Sequence, residues 1–204
     1  MKEMHDAKLR LDAGLAALQL TLSPDPFLHY LVLLNTWNLA YNLTAIHAPR
    51  AQVDRYILDS LAILPWLQGE RLLDVGSGAG VPGIALAIAR PDLAFTLLDS
   101  NGKKIRFLTE VKRSLGLDNV TIVQTRAELY APELLFDTIL SCAFSELSQM
   151  IQWTAHLLAE EGIWLAMKGR YPETELQELT YPFKAHRYIV PFVNAQRCCV
   201  VIQK

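Results

Sequence analysis

The sequence predicts an α/β fold: a mostly parallel seven-stranded sheet with a C-terminal antiparallel hairpin, preceded by an N-terminal helical segment. Three observations predict it. The apolar run Leu72-Leu73-Asp74-Val75 leads straight into a turn with glycines at alternate positions, Gly76, Gly78 and Gly80. From Arg71 onward strand-like and helix-like patterns alternate, which builds a parallel sheet covered by helices. Residues 185–190 and 197–203 are strand-like, and the link between them is too short for a crossover helix, so they pair antiparallel.

The elements follow in order. Leu11, Leu15, Leu18 and Leu22 recur at helical spacing, and Ser23-Pro24-Asp25-Pro26 then supplies a cap and a proline start. Phe27, Leu31, Leu34 and Trp37 form the next stripe. Asn42-Leu43-Thr44 breaks it. A third helix from Pro49 carries Val53, Ile57, Leu61 and Leu64 and is expected to stop at Gly69. Strands are expected at 71–75, 94–98, 119–123, 136–140 and 163–167, with helices at 82–90, 102–115 and 145–158. The chain therefore divides into a helical extension, residues 1–70, packed on a core of residues 71–204.

Composition narrows the class. At 51% hydrophobic and 20% charged, the 204 residues suit a globular fold with a full core. The net charge of −2 gives no global attraction for nucleic acid, so an RNA partner would need a local basic patch. Cys142, Cys198 and Cys199 form neither a disulfide framework nor a metal-ligand spacing, which reads as a reduced, cytoplasmic chain without a metal. Met1 to Asp6 lacks the apolar core of a signal peptide, and no run of 18 apolar residues offers a membrane span.

The glycine turn carries the chemistry. Read literally, Gly78-x-Gly80-x-x-Gly83 matches a dinucleotide fingerprint, but a lone match has little specificity. The fingerprint's first glycine must follow the strand at once. That residue is Gly76, and counted from it the third position is Val81. The pattern that fits is Asp-x-Gly-x-Gly-x-Gly, typical of S-adenosylmethionine (SAM) sites, and with the terminal hairpin it suits the class I SAM-dependent methyltransferase fold. Alternate glycines carry an entropic cost with no expected packing return, which favours a ligand. Gly76, Ser77, Gly78 and Gly80 are assigned to it. Asp99, with Ser100 beside it, ends the second strand, where a carboxylate can accept both ribose hydroxyls; an N-cap for the next helix is the alternative. Ala127-Glu128 follows the third strand, where an adenine would lie, though a solvated loop glutamate explains it as well.

Lys103, Arg106 and Arg113 fall near one face of the helix after Asp99, with Lys104 and Lys112 flanking. Lys168-Gly169-Arg170 follows the fifth strand on the same sheet edge as the glycine turn. Such cations could position RNA through its phosphates. Most of them also read as an ordinary solvated helix face. Lys103, Lys168 and Arg170, with Arg197, are the expected RNA contacts. After the fourth strand the chain reads Ser141-Cys142-Ala143-Phe144, without the Asn-Pro-Pro-Tyr motif that holds an exocyclic nitrogen.

The chain resembles the small-subunit rRNA methyltransferase G group, also called the glucose-inhibited division protein B family. The segments that carry this are Trp37 to Thr44, Leu58-Asp59-Ser60-Leu61, Leu72 to Gly83, Leu97 to Ser100 with Gly102 to Leu108, and Ala166 to Gly169. The resemblance implies SAM as cofactor and N7 of one guanine in 16S rRNA, near the decoding centre, as the methyl acceptor. It implies 16S rRNA or the small subunit as partner, and cofactor contacts at Gly76, Val81, Ala127, Glu128 and Cys142. Cys142 stands where the family usually has arginine. Guanine N7 keeps its lone pair free, so catalysis should be mostly positioning. Asn42 and Asp59 are expected near the base, with helix capping or turn bonding as the alternative for both. The chain is expected to act as a monomer. Two rival readings remain: a SAM-binding but degenerate ribosome-associated module, and a SAM enzyme with a substrate other than rRNA.

Overall fold

The computed structural model describes residues 2–142 and 145–204; Met1, and Ala143 and Phe144 of the Ser141–Phe144 segment, lie outside them. Seven strands form one sheet: β1 (Arg71–Val75), β2 (Ala94–Asp99), β3 (Val120–Gln124), β4 (Phe136–Cys142), β5 (Leu158–Lys168), β6 (Phe183–Tyr188) and β7 (Arg197–Gln203). Their order is β3-β2-β1-β4-β5-β7-β6. The first five run parallel, and β7 lies antiparallel between β5 and β6. The carboxyl ends of β1, β2, β4 and β5 and the start of β7 thus share one edge of the sheet.

The helices are α1 (Lys2–Ala17), α2 (Asp25–Tyr41), α3 (Pro49–Gln52), α4 (Asp59–Leu61), α5 (Gly83–Ala89), α6 (Gly102–Leu115), α7 (Leu147–Thr154) and α8 (Glu173–Gln177). Between α3 and α4 the chain stays helical but widens into a π turn, Val53–Leu58. α2 ends where Asn42 turns left-handed, φ 50°, and donates its N–H to the Asn38 carbonyl. α6 is capped at both ends: the Asn101 side chain accepts the Lys103 N–H, and Gly116 closes the last turn at φ 64°.

Alternate strand residues face opposite ways, and the core divides accordingly. Leu72, Leu97, Leu140 and Leu165 pack with Leu11, Phe27, Tyr30 and Ile57 of the helical extension. Leu73, Leu98, Ile139 and Trp164 pack on the other face with Met150 and Ile151 of α7. Arg10 ties α1 to the π turn through two 2.8 Å bonds to Asp54, and its guanidinium lies 4.2 Å from the Phe192 ring centroid.

Several expected boundaries move. The third helix ends at Leu61 rather than Gly69, because Pro65 cannot continue it; Leu64–Trp66 is a single tight turn. Gly69 instead fills a place where a Cβ would collide with Asp137. α7 stops at Thr154, whose hydroxyl accepts the Trp164 indole N–H at 2.8 Å, four residues before the expected end. β5 consequently begins at Leu158, not 163: Leu158 pairs Phe136, and the register then shifts before Ile163 pairs Thr138. The first hairpin strand also lies two residues earlier than expected.

Candidate functional site

The glycine turn crosses the carboxyl end of β1. The Gly76 and Ser77 N–H groups both donate to the Leu98 carbonyl, at 2.8 and 3.0 Å. Gly76, Gly78 and Gly80 all have positive φ, 67°, 58° and 96°. Their reasons differ. At Gly80 a Cβ would lie 2.5 Å from Ile84 Cγ1, so this glycine has a packing role that the sequence reading did not expect. At Gly78 an added Cβ would meet nothing closer than the Gly76 carbonyl at 3.7 Å. The turn is therefore tight underneath and open above. From the helical extension, the Tyr30 hydroxyl donates to the Ala79 carbonyl at 2.8 Å.

Beside the turn lies a cavity of about 370 Å³. Five of the expected cofactor residues line it: Gly76, Asp99, Ser100, Ala127 and Glu128. Lys104 and Trp153 line it too, and the sequence reading missed both. Lys104 reads in sequence as a flanking charge, and Trp153 lies on α7, for which the sequence gives only a helical pattern. Ser77 is buried beneath the turn, Gly80 packs against α5 and α6, and Val81 and Cys142 do not line this cavity.

Asp99 organises the cavity floor. Its Oδ1 accepts the Asn101 N–H at 2.8 Å, and its Oδ2 accepts the Gly78 N–H at 3.0 Å and the Lys104 ammonium at 3.3 Å. It is not the cap of α6; Asn101 is. Below it lies Asp74, fully buried, the residue that opens the Asp-x-Gly-x-Gly-x-Gly pattern. Its Oδ2 accepts the Gly83 N–H at 2.9 Å, while Oδ1 has no partner among the described residues. Burial pushes the Asp74 carboxyl up to about 7; the Gly83 bond opposes this, and nearby Asp99 adds to it. A carboxylate at the end of β2, an open glycine edge, an indole and a cavity of this size suit an adenosine and its attached chain.

A second cluster sits at the same sheet edge, where β4 ends and β7 begins. Asp59, from α4, accepts the Tyr188 hydroxyl at 2.7 Å and Arg197 Nε at 2.9 Å. Arg197 is only 5% exposed, and its Nη2 is buried without a partner among the described residues. The expectation that Arg197 is a surface contact for phosphate is thus corrected: Asp59 draws it inward. Cys142 stands beside this cluster. Burial, with Asp59 and Asp74 nearby, pushes its thiol up to about 12, although Arg55 and Arg197 partly oppose the shift. It is a neutral thiol at pH 7. Tyr188 is pushed upward by burial and by Asp59.

The other expected residues are scattered. Asn42 is exposed at the end of α2 and joins neither cluster; its bond is the helix-closing one. The adjoining loop is held by Asn38, whose side chain donates to the Thr44 carbonyl at 3.0 Å and accepts the Thr44 N–H at 2.9 Å. The Thr44 hydroxyl in turn hydrogen-bonds the Tyr56 hydroxyl. Lys168 is not a free cation: its ammonium lies 2.7 Å from Glu175, a partner the sequence reading did not anticipate. Lys103 and Arg170 are exposed.

Residues 25–199 match the model of a family described as rRNA small subunit methyltransferase G. The chain belongs to this family, GidB. Among GidB relatives, the ribosomal RNA small subunit methyltransferase G of Legionella pneumophila (strain Corby) is 54% identical over 195 residues, covering 96% of this chain and 94% of that one. The protein of the same name from Marinobacter nauticus is 46% identical, covering 96% and 94%. Solved structures share the GidB chain's fold at lower identity. The N-methyltransferase NodS from Bradyrhizobium japonicum WM9, in complex with S-adenosyl-L-homocysteine, superposes with a TM-score of 0.58 at 15% identity, over 83% of this chain and 98% of that one. A SAM-dependent methyltransferase from Aquifex aeolicus gives 0.57 at 16%, over 75% and 92%. The fold is that of the class I methyltransferases. No helix among the described residues is long and apolar enough to cross a membrane, and none of their His, Cys, Asp and Glu side chains group to hold a metal.

Proposed function

We propose that this chain transfers the methyl group of SAM to N7 of a guanine in 16S rRNA. The observation that carries the proposal is the placement of the cofactor cavity and the Asp59–Tyr188–Arg197 cluster on one sheet edge, within the fold of a family described as rRNA methyltransferases. SAM supplies an electrophilic methyl group when bound.

The chain's own residues position and neutralise. Asp99 holds the glycine turn through Gly78 and keeps accepting capacity for a ribose hydroxyl. Trp153 and Ala127 offer apolar walls for an adenine. On the acceptor side, guanine N7 has no proton to lose before attack. No residue need act as a strong base, and a neutral Cys142 thiol and a protonated Tyr188 fit that requirement. Asp59 holds Arg197 inside the fold, so this pair orders the start of β7 at the acceptor edge rather than contacting RNA itself. Lys103 and Arg170 remain free to meet phosphates, and the protein acts as a monomer.

Methyl transfer from labelled SAM to small subunits, deproteinised 16S rRNA and a bare oligonucleotide tests the reading. The label is expected on guanine N7 in one of these, located by mass spectrometry of nuclease digests. SAM binding without label on guanine N7 in any of the three would refute it and favour a binding module, the reading that Cys142 supports.

A further inference from the structure

We infer that Tyr30 is a positioning residue for the glycine turn: from the helical extension, its hydroxyl fixes the Ala79 carbonyl and so sets the loop on which the cofactor lies. The inference rests on reading the adjoining cavity as the SAM site.

The geometry is specific. Tyr30 is fully buried on α2, and its hydroxyl donates to Ala79 at 2.8 Å. Its ring packs 6.3 Å from Phe107 of α6, and Trp37 of α2 lies 5.9 Å from the same ring. The phenol is therefore packed on α6 through Phe107, which Trp37 backs in turn. Burial pushes its ionisation upward, so it stays a donor at neutral pH.

The loop needs such a hold. Ala79 lies between Gly78 and Gly80, both at positive φ. A peptide flanked by two glycines rotates at little steric cost. The N–H of the same Ala79–Gly80 peptide is held locally by the Ser77 carbonyl at 2.7 Å, and the Gly80 carbonyl accepts the Ile84 N–H at 2.8 Å. The Ala79 carbonyl instead takes its partner from a helix 49 residues away in sequence. The bond also links the helical extension, which lies outside the SAM-binding sheet, to the cofactor loop.

Tyr30→Phe keeps the ring and removes only the donor. SAM binding, measured by calorimetry, is expected to weaken about tenfold, the scale of one buried hydrogen bond. KM for SAM should rise while kcat and affinity for RNA stay near wild type. Ala79→Gly frees the same peptide at the loss of one partly buried methyl and should weaken SAM in the same direction. Ile57→Val, a loss of one core methylene outside the loop, supplies the control: it should lower the thermal midpoint and leave SAM affinity unchanged. Wild-type affinity in Tyr30→Phe and Ala79→Gly, or an equal loss in Ile57→Val, overturns the inference. A wild-type protein that binds no SAM overturns the reading of the cavity itself.

Discussion

The two halves of the site handle charge in opposite ways. In the cofactor cavity, Asp99 and Lys104 pair at 3.3 Å with the lysine still about a third exposed, so water reaches the pair. At the shell–hairpin cluster, Asp59 and Arg197 pair at 2.9 Å with side chains 10% and 6% exposed. The first pair can exchange solvent for a ligand with little rearrangement. The second has already lost its solvent. Its charges depend on each other, and the unpartnered Arg197 Nη2 is buried with them. One half is shaped to bind and release, the other to stay as it is.

The largest expected effect tests that rigidity. Asp59→Ala strands a buried guanidinium and leaves the Tyr188 hydroxyl without its acceptor. Unfolding in urea should show a loss of about 3–5 kcal/mol. A loss under 1 kcal/mol would mean the pair is solvated after all, and the contrast between the halves would collapse.

A second test uses pH and addresses the cofactor half. Folded Asp74 keeps its proton up to about pH 7, against 3.8 as its ordinary value. The folded state thus binds more protons across that window. The stability contributed by this group is full below the ordinary value and is lost as pH rises through 7. Asp74→Asn removes the titration. Relative to wild type, the variant should gain stability between pH 4 and pH 7, by about 1.4 kcal/mol per unit at the steepest. A difference that stays flat across the window would place Asp74 in a wetter setting.

The smallest effect sharpens the acceptor half. Cys142→Arg introduces a cation beside the acceptor cluster, but Arg55 and Arg197 already act on this position. RNA affinity should change by less than about threefold, with an unaltered salt slope. A slope steeper by about 0.7 would show that the new cation reaches a phosphate.

The two halves also differ in how they are written in the chain. Gly76 to Gly80, Asp99 and Ala127 follow consecutive strands, so period and position locate them. The Asp59–Arg197 pair joins residues 138 apart, and nothing local distinguishes its arginine from a surface cation. Lys168 shows the same limit: its partner Glu175 lies on a short helix that carries no strong pattern. Trp153 fits the apolar stripe of α7, and only the fold turns it toward the cavity. Boundaries failed where a tertiary contact ended an element, as Thr154 does by accepting the Trp164 indole.

β7 lies inside the sheet, between β5 and β6, and Arg197 begins it. In synthesis order this strand comes last of the seven. A growing chain can form the cofactor loop, Asp99 and the first five strands while Asp59 still has no cation and β5 still has an open edge. Both are liabilities for an unfinished polypeptide. The arrival of one strand removes them together, so the addition of β7 closes the sheet and completes the acceptor half in a single event.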